Sequence, residues 1–361
     1  MGKPTYSAAR IGSTAFLCIV MIGLVPSPGQ LAAAPAKKAG LQTAAPESVG
    51  WSSAKLEEAS AFAEKINSAA VMVLRDGKVF VSWGQVEKNY KLHSIRKPLL
   101  SALYGIYWGR GKIKLDATLE ELGIDDIPPS LTAEEKKATV ADLLQSRSGV
   151  YHEAAAESKD MAEGRPARGS HPPGTFYYYN NWDFNALGTI FERVTGAKIF
   201  QAFKKEIADP IGMEDFRLAD CEYGHEADKS VHRAYNFRMS ARDLARFGQL
   251  YLQGGSWKGR QIVPREWIEK STTPYSMVSE QMGIGYGYMW NVVRPESPFS
   301  NMLFDGKGAF YHTGVGIHTL AVLPDLRMVY VYRYDTDGEF KDPGDATLQL
   351  VALIMKARRN D

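Results

Sequence analysis

Ser94-Ile95-Arg96-Lys97, followed by Pro98 and the apolar positions Leu99, Leu100, Leu103, Tyr104 and Tyr107, reads as the opening of an amphipathic helix that ends near Gly109. Proline is tolerated only in a helix's first turn, where its missing N–H costs least, so the helix starts at or just before Ser94. Residues i and i+3 share a helix face, which puts the Lys97 amine within reach of the Ser94 oxygen. A serine hydroxyl is a poor nucleophile until a neighbour takes its proton. A chain of 361 residues contains about one Ser-x-x-Lys by chance. Ser52-Ser53-Ala54-Lys55 is indeed a second copy. There, Ser52 or Ser53 reads as the N-cap of a helix running to about Asn67, with Leu56, Ala59, Phe62 and Ala63 at helical spacing.

Upstream of Ser94, the apolar runs Ala70–Leu74 and Val79–Trp83 flank Asp76-Gly77, a hairpin signal. Downstream, Val140–Gln145 and Phe184–Val194 read as short helices, and Ser240 caps a helix over Ala241–Leu252 that stops at Gly254-Gly255. Strand patterns then take over at Tyr286–Val293, Ala309–Thr313, Thr319–Leu323 and Met328–Tyr334, before a last amphipathic helix over Ala346–Arg358. Strands at both ends with helices between them predict an α+β fold. Its antiparallel sheet is flanked by N- and C-terminal helices and interrupted by a large, mainly helical inserted domain. The sheet domain is expected over 49–94 and 280–361, and the helical domain over 95–279.

With 45% hydrophobic and 23% charged residues, the chain can bury a large core. Lys3 and Arg10 account for the whole formal charge of +2, so no nucleic-acid surface is expected. The same two residues precede an apolar run from Ile11 to Val25 and the small residues Ala32-Ala33-Ala34, the pattern of a secretory signal over 1–34. The run is shorter than the ~20 residues of a spanning helix. The expectation is a periplasmic or secreted protein with no stable membrane span; the alternative is an uncleaved anchor. Cys18 follows Leu17 rather than a small residue, which argues against a lipoprotein site. Residues 35–48, rich in Ala, Pro and Lys, read as a flexible leader. Cys221 is then the single mature cysteine, read as a small packed side chain with no internal disulfide.

Three further stretches bear on Ser94. The first is Pro173-Gly174-Thr175-Phe176-Tyr177-Tyr178-Tyr179-Asn180-Asn181, leading to Leu187-Gly188. A phenol beside a lysine can relay a proton to a leaving group, and a nearby amide can hold a substrate carbonyl. The same segment also reads as an aromatic turn packed between helices. The second is His312-Thr313-Gly314, where a glycine lets a substrate lie close to a strand; the N–H of Val315 would join that of Ser94 as an oxyanion hole. A histidine on a strand is also commonly structural. The third, Ala138 to Gly149, carries no evident chemistry and reads as scaffold.

Together these stretches resemble the penicillin-recognising serine hydrolases: class C β-lactamases, D-alanyl-D-alanine carboxypeptidases and related esterases and amidases. That family has Ser-x-x-Lys, Tyr-x-Asn and Lys- or His-Thr-Gly in this order. Thr139 to Gly149 matches its intervening T-I-x-x-L-L-x-x-x-S-G pattern with Val140 for Ile. Pro173 to Gly196 matches P-G-x-x-F-x-Y-x-N and L-G-x-I-x-E-x-V-T-G with Tyr177 in the Phe place. The resemblance runs from about Gly50 to the C-terminal helix. It selects Ser94 over Ser52, and Tyr179 and Asn181 over Tyr178 and Asn180.

It implies that Ser94 is acylated, that Lys97 takes its proton and that Tyr179 protonates the leaving group. Asn181 would support the substrate and Lys97, while His312, Thr313, Gly314 and Val315 would line the strand side. The implied partner is a small ester, amide or peptide, with no cofactor. No Gly-x-Ser-x-Gly, His-Glu-x-x-His or histidine cluster competes. His312 stands where class C β-lactamases have lysine, which makes efficient β-lactam hydrolysis the weakest expectation. Esterase, carboxypeptidase-like and oligo-amide hydrolase readings remain open, the last resembling the 6-aminohexanoate-dimer hydrolases. So do the readings of a true β-lactamase and of a penicillin-binding sensor with little turnover. Tyr177, Tyr178 and Trp182 are expected at an aromatic mouth.

Overall fold

The computed structural model describes residues 40–359. The expected signal segment, Cys18 and the first part of the leader lie outside them. Chain entry is through helix α1 (Ser53–Lys65), whose N-cap Ser52 accepts from the Lys55 N–H. That is the structural role expected of the second Ser-x-x-Lys. Strands β1 (Ala70–Arg75) and β2 (Lys78–Gly84) form the expected hairpin. Its turn residues Asp76 and Gly77 both take positive φ, 51° and 76°, which matches the strand twist.

Helices α2 (Arg96–Gly109), α3 (Val140–Leu144), α4 (Asn181–Thr195) and α5 (Ala241–Leu252) follow. The chain then returns to the sheet as β3 (Ser276–Ser279), β4 (Ile284–Tyr286), β5 (Asn291–Val293), β6 (Ala309–Gly314), β7 (His318–Leu323) and β8 (Met328–Arg333). It closes with α6 (Ala346–Lys356).

The sheet is antiparallel throughout, in the order β2-β1-β8-β7-β6-β5-β4-β3. Period-two alternation divides its side chains between two cores. Val71, Val73, Tyr330 and Tyr332 pack with Leu56 and Ala59 of α1 and Leu350 and Ile354 of α6. Met72, Leu74, Val329 and Val331 pack with α2, α4 and α5 on the other side. The fold is thus α+β, with helices on both faces of one antiparallel sheet.

Two strand expectations are corrected. Tyr286–Val293 is not one strand: Gly287 to Trp290 turn the chain, with Met289 at φ 62°, so β4 and β5 are a hairpin. β3 was not expected, because its polar sequence Ser-Met-Val-Ser on a sheet edge lacks an apolar alternation. Among the described residues no helix is long and apolar enough to cross a membrane.

Candidate active site

The position of Ser94 follows from what holds the chain on either side of it. Tyr90–Lys91 pairs with Arg238–Met239, and the Leu92 N–H donates to the Phe237 carbonyl at 2.9 Å. The chain then turns sharply. His93 takes φ 46°, a left-handed conformation that a side chain of this size rarely adopts. Its Nε2 lies 2.8 Å from Thr336 Oγ1 and its ring stacks on His318. Ser94 sits in the resulting 3₁₀ turn, His93–Ile95, directly before α2, with its side chain partly open. The sequence placed it at the helix start; the structure moves the α-helix two residues on.

Lys97 lies in the first turn of α2, wholly buried, with Nζ 2.9 Å from Ser94 Oγ. The amine rests 4.7 Å from the ring centroids of both Tyr179 and Phe184 and has no carboxylate partner among the described residues. Burial first, and then the positive charge of Arg96, hold its pKa well below the ordinary lysine value. Its surroundings thus favour the uncharged amine, set against a hydroxyl, an arrangement that can move a proton.

Tyr179 is fixed by the stretch read as scaffold. The Tyr178 N–H donates to the Ser146 carbonyl, Ser146 Oγ donates to the Tyr178 carbonyl, and the Asn180 N–H donates to Ser146 Oγ, at 3.0, 2.7 and 3.0 Å. Ser148 donates to the buried carboxyl of Asp183, tying the same stretch to the start of α4. Burial pushes the Tyr179 phenol pKa upward, against the opposing pull of the Ser94 side chain and of Arg96. The phenol stays protonated and able to donate.

The neighbours Tyr178 and Asn180 serve otherwise. The Tyr178 hydroxyl donates to the Met161 carbonyl; the Asn180 side chain caps α4 at the Trp182 N–H. Trp182 is not at a mouth, since it is fully buried with Nε1 donating to Asp126 Oδ2 at 2.6 Å.

Asn181 enters the site differently from expectation. Its Nδ2 donates to the Ala156 carbonyl at 2.6 Å, and it makes no hydrogen bond to Lys97. Its Oδ1 is buried without a partner among the described residues. On β6, His312 faces the same core as Lys97 and Tyr179, 2% exposed, its ring centroid 6.1 Å from that of Tyr179. Its Nδ1 lies 2.8 Å from the Thr313 carbonyl, which can only accept, so Nδ1 carries the proton and Nε2 is a bare acceptor without a partner among the described residues. Burial, foremost, pushes its pKa down to about 3, so the ring is uncharged at neutral pH.

Thr313 requires a correction. Strand alternation turns its side chain to the opposite face, where it lines an apolar cavity of about 70 Å³ with Tyr311, Phe299, Thr319 and Val351. Only its backbone remains on the site's strand. Gly314 is where β6 meets the nucleophile turn: a Cβ there would stand 2.6 Å from the Leu92 carbonyl oxygen and 3.3 Å from the Ser94 nitrogen. Gly314→Ala must therefore push backbone against backbone. We expect it to cost about 1–3 kcal/mol of stability and to displace Ser94; thermal unfolding and esterase rate measured together check this. Val315 follows with a half-exposed side chain.

Arg96, Phe184, Tyr235 and Tyr286 are buried around Lys97 and Tyr179 but were not singled out from sequence. Arg96 stood inside the quoted motif, yet a charged residue in a first helical turn ordinarily reads as solvent-facing. A cavity of about 480 Å³ opens beside the Ser94 turn, lined by His93, Ala156, Asp220, Cys221, Glu222 and Arg238. Burial raises the Cys221 thiol pKa to about 12, so it stays protonated. Among the described residues no group of three or more His, Cys, Asp or Glu side chains is placed to hold a metal ion.

Comparison with known proteins identifies the family and the fold. The family model described as Beta-lactamase matches residues 54–354. A candidate 6-aminohexanoate-dimer hydrolase from Bacillus anthracis superposes with a TM-score of 0.65 at 19% identity, covering 90% of this chain and 88% of that one. An octameric penicillin-binding protein homologue from Pyrococcus abyssi gives 0.62 at 20% identity, over 85% and 77%. A class C β-lactamase in complex with cefoxitin gives 0.61 at 16%, over 84% and 99%. At these identities the likeness is one of fold. No curated protein matches the sequence.

Proposed function

The chain belongs to the Beta-lactamase family, and on that premise we propose that it is a serine hydrolase cleaving an ester or amide bond through an acyl-enzyme on Ser94. The family consists mostly of serine hydrolases, β-lactamases and amide hydrolases among them. One observation carries the reading: a fully buried lysine amine, without a carboxylate partner among the described residues, stands 2.9 Å from a partly open serine hydroxyl.

In the proposed reaction Ser94 Oγ attacks the carbonyl carbon while its proton passes to the neutral Lys97 amine. The N–H groups of Ser94 and Val315 receive the negative charge that develops on the carbonyl oxygen. Tyr179 donates its proton to the leaving alcohol or amine as the scissile bond breaks, and recovers one from Lys97. Water then attacks the acyl carbon, gives up its proton to the same pair, and Ser94 leaves reprotonated. Asn181 Oδ1, buried and without a partner among the described residues, is an unsatisfied acceptor that a substrate N–H could meet.

His312 bears on the substrate. An uncharged ring with a bare acceptor nitrogen offers a carboxylate neither charge nor donor. The reading therefore favours esters or amides without a carboxylate at that position over penicillins or D-alanyl-D-alanine peptides. The basic start and apolar run at the N-terminus support an exported enzyme.

The test is a panel of p-nitrophenyl esters, nitrocefin and D-Ala-D-Ala peptides, run on wild type and Tyr179→Phe. Neutral esters should turn over fastest. Tyr179→Phe should lose about 10²–10⁴-fold in kcat with its melting temperature unchanged. A Tyr179→Phe enzyme with wild-type turnover would remove Tyr179 from the proton path. Penicillin adducts that persist without product, and no hydrolysis of any other substrate, would favour a sensor instead.

A further inference from the structure

Arg96, between the nucleophile and its base, is 3% exposed and meets no carboxylate among the described residues. Its guanidinium lies 4.6 Å over the ring of Tyr235, and its Nη2 reaches Asn185 Oδ1 at 3.4 Å. Its Nη1 is buried without a partner among the described residues. A charge in such a place is expensive. Two basic side chains, Arg96 and Lys97, therefore occupy adjacent buried positions with no counter-ion among the described residues, and of the two residue types only lysine readily sheds its proton.

We propose that Arg96 is a positioning residue whose fixed, buried charge holds Lys97 in the neutral form that accepts the Ser94 proton. This rests on the serine-hydrolase reading above. Arginine suits the task because it cannot be neutralised in a protein, whereas a lysine in its place could release its own proton. Burial acts first on Lys97, and among the groups facing it Arg96 supplies the charge that adds to burial. Tyr179 on its loop, Tyr286 on β4 and Tyr235 on its short strand are all phenols kept protonated by burial. His312 on β6 is uncharged. The buried carboxyl of Asp183 on α4 is taken up by Ser148 and Asn180, and burial pushes its pKa well up, away from the anionic form.

Arg96 also reaches the substrate side. Asn185 Nδ2 donates to the Ala155 carbonyl at 3.0 Å, one residue from the Ala156 carbonyl that receives Asn181 Nδ2. Asn181 and Asn185 are four residues apart and share one face of α4. The guanidinium thus anchors the turn that holds Asn181 in place.

The experiment is the pH dependence of the rate at which a fluorophosphonate labels Ser94, in wild type, Arg96→Gln and Arg96→Lys, with circular dichroism and thermal unfolding to establish folding. In labelling, Oγ bonds to phosphorus, fluoride leaves and the serine proton goes to Lys97. Removing the fixed charge raises the proton affinity of Lys97, so the acidic limb of Arg96→Gln should move up by about one pH unit, a tenfold rate loss on that limb. Arg96→Lys should move it in the same direction, because the new amine can discharge.

A folded variant whose limb superimposes on that of wild type would overturn the proposal. So would a wild-type limb above about pH 8, whatever the variants do, since Lys97 would then carry a proton under ordinary conditions. Failure of the wild type to label, or labelling that survives Ser94→Ala, would instead overturn the serine-hydrolase reading itself.

Discussion

Ser94→Ala abolishes fluorophosphonate labelling and lowers ester hydrolysis by about six orders of magnitude, the scale of loss when a serine nucleophile is removed from a working site. The fold is expected to survive, because the Ser94 hydroxyl makes no contact that holds an element together: its bonding is to Lys97 and the Tyr179 side. Ser52→Ala is the matching control. It removes only an N-cap on α1, worth about 1 kcal/mol, and should leave the rate unchanged while lowering the melting temperature by a few degrees. Opposite outcomes for the two serines would exchange their roles.

Lys97→Met carries the second large effect, and it acts in two directions. Activity should fall by about 10²–10⁴-fold, since no other amine is placed to take the Ser94 proton. Stability should rise. In the folded protein burial, and then Arg96, lower the proton affinity of Lys97, whereas in the unfolded chain it binds a proton at any pH below its ordinary value. The unfolded state therefore binds more protons, and wild-type stability increases with pH by about 1.4 kcal/mol per unit between the folded and the unfolded pKa. The methionine variant escapes that penalty. Its advantage should be large at about pH 7, shrink as the pH climbs towards about 10.4, and be nearly gone only about one unit above that, where lysine is neutral in both states. Thermal unfolding of both proteins across this range decides the matter. A Lys97→Met protein that is inactive but less stable than wild type at neutral pH would show that the amine is paired and charged when folded.

Much of this was legible in the sequence because local physics and tertiary role coincide there. The Asp76-Gly77 hairpin, the capped helix α5 and the buried strands β6 to β8 all announce themselves by turn chemistry or periodicity. The proximity of Ser94 and Lys97 is set by three residues of chain and needs no distant information. What was lost depends on which face a residue takes. Thr313 follows His312 in one motif, but a strand sends consecutive side chains to opposite sides, so only one of the pair can reach the site. Trp182 looks like a binding aromatic until a carboxylate more than fifty residues earlier, Asp126, claims its N–H.

Arg96 and Asp183 were invisible for a related reason. Charged side chains read as solvated surface, and their burial is decided by partners from other elements, Tyr235 and Ser148, that no window around them contains. The split of β4 from β5 turns on Met289 adopting a left-handed backbone, for which its residue type gives no signal. Ser146 is similar: nothing in a run read as scaffold says that one serine brackets Tyr179 from both sides.

The central claim is that Ser94 becomes covalently attached to the acyl or phosphonyl group it attacks. Trypsin releases Leu92–Arg96, a peptide in which Ser94 is the only hydroxyl side chain. Mass spectrometry of the fluorophosphonate-treated protein should find the adduct on that peptide, at one equivalent per chain, and not in Lys97→Met treated for the same time. An adduct on the peptide that bears Ser52, or a fully reactive chain with Leu92–Arg96 unmodified, would contradict the account.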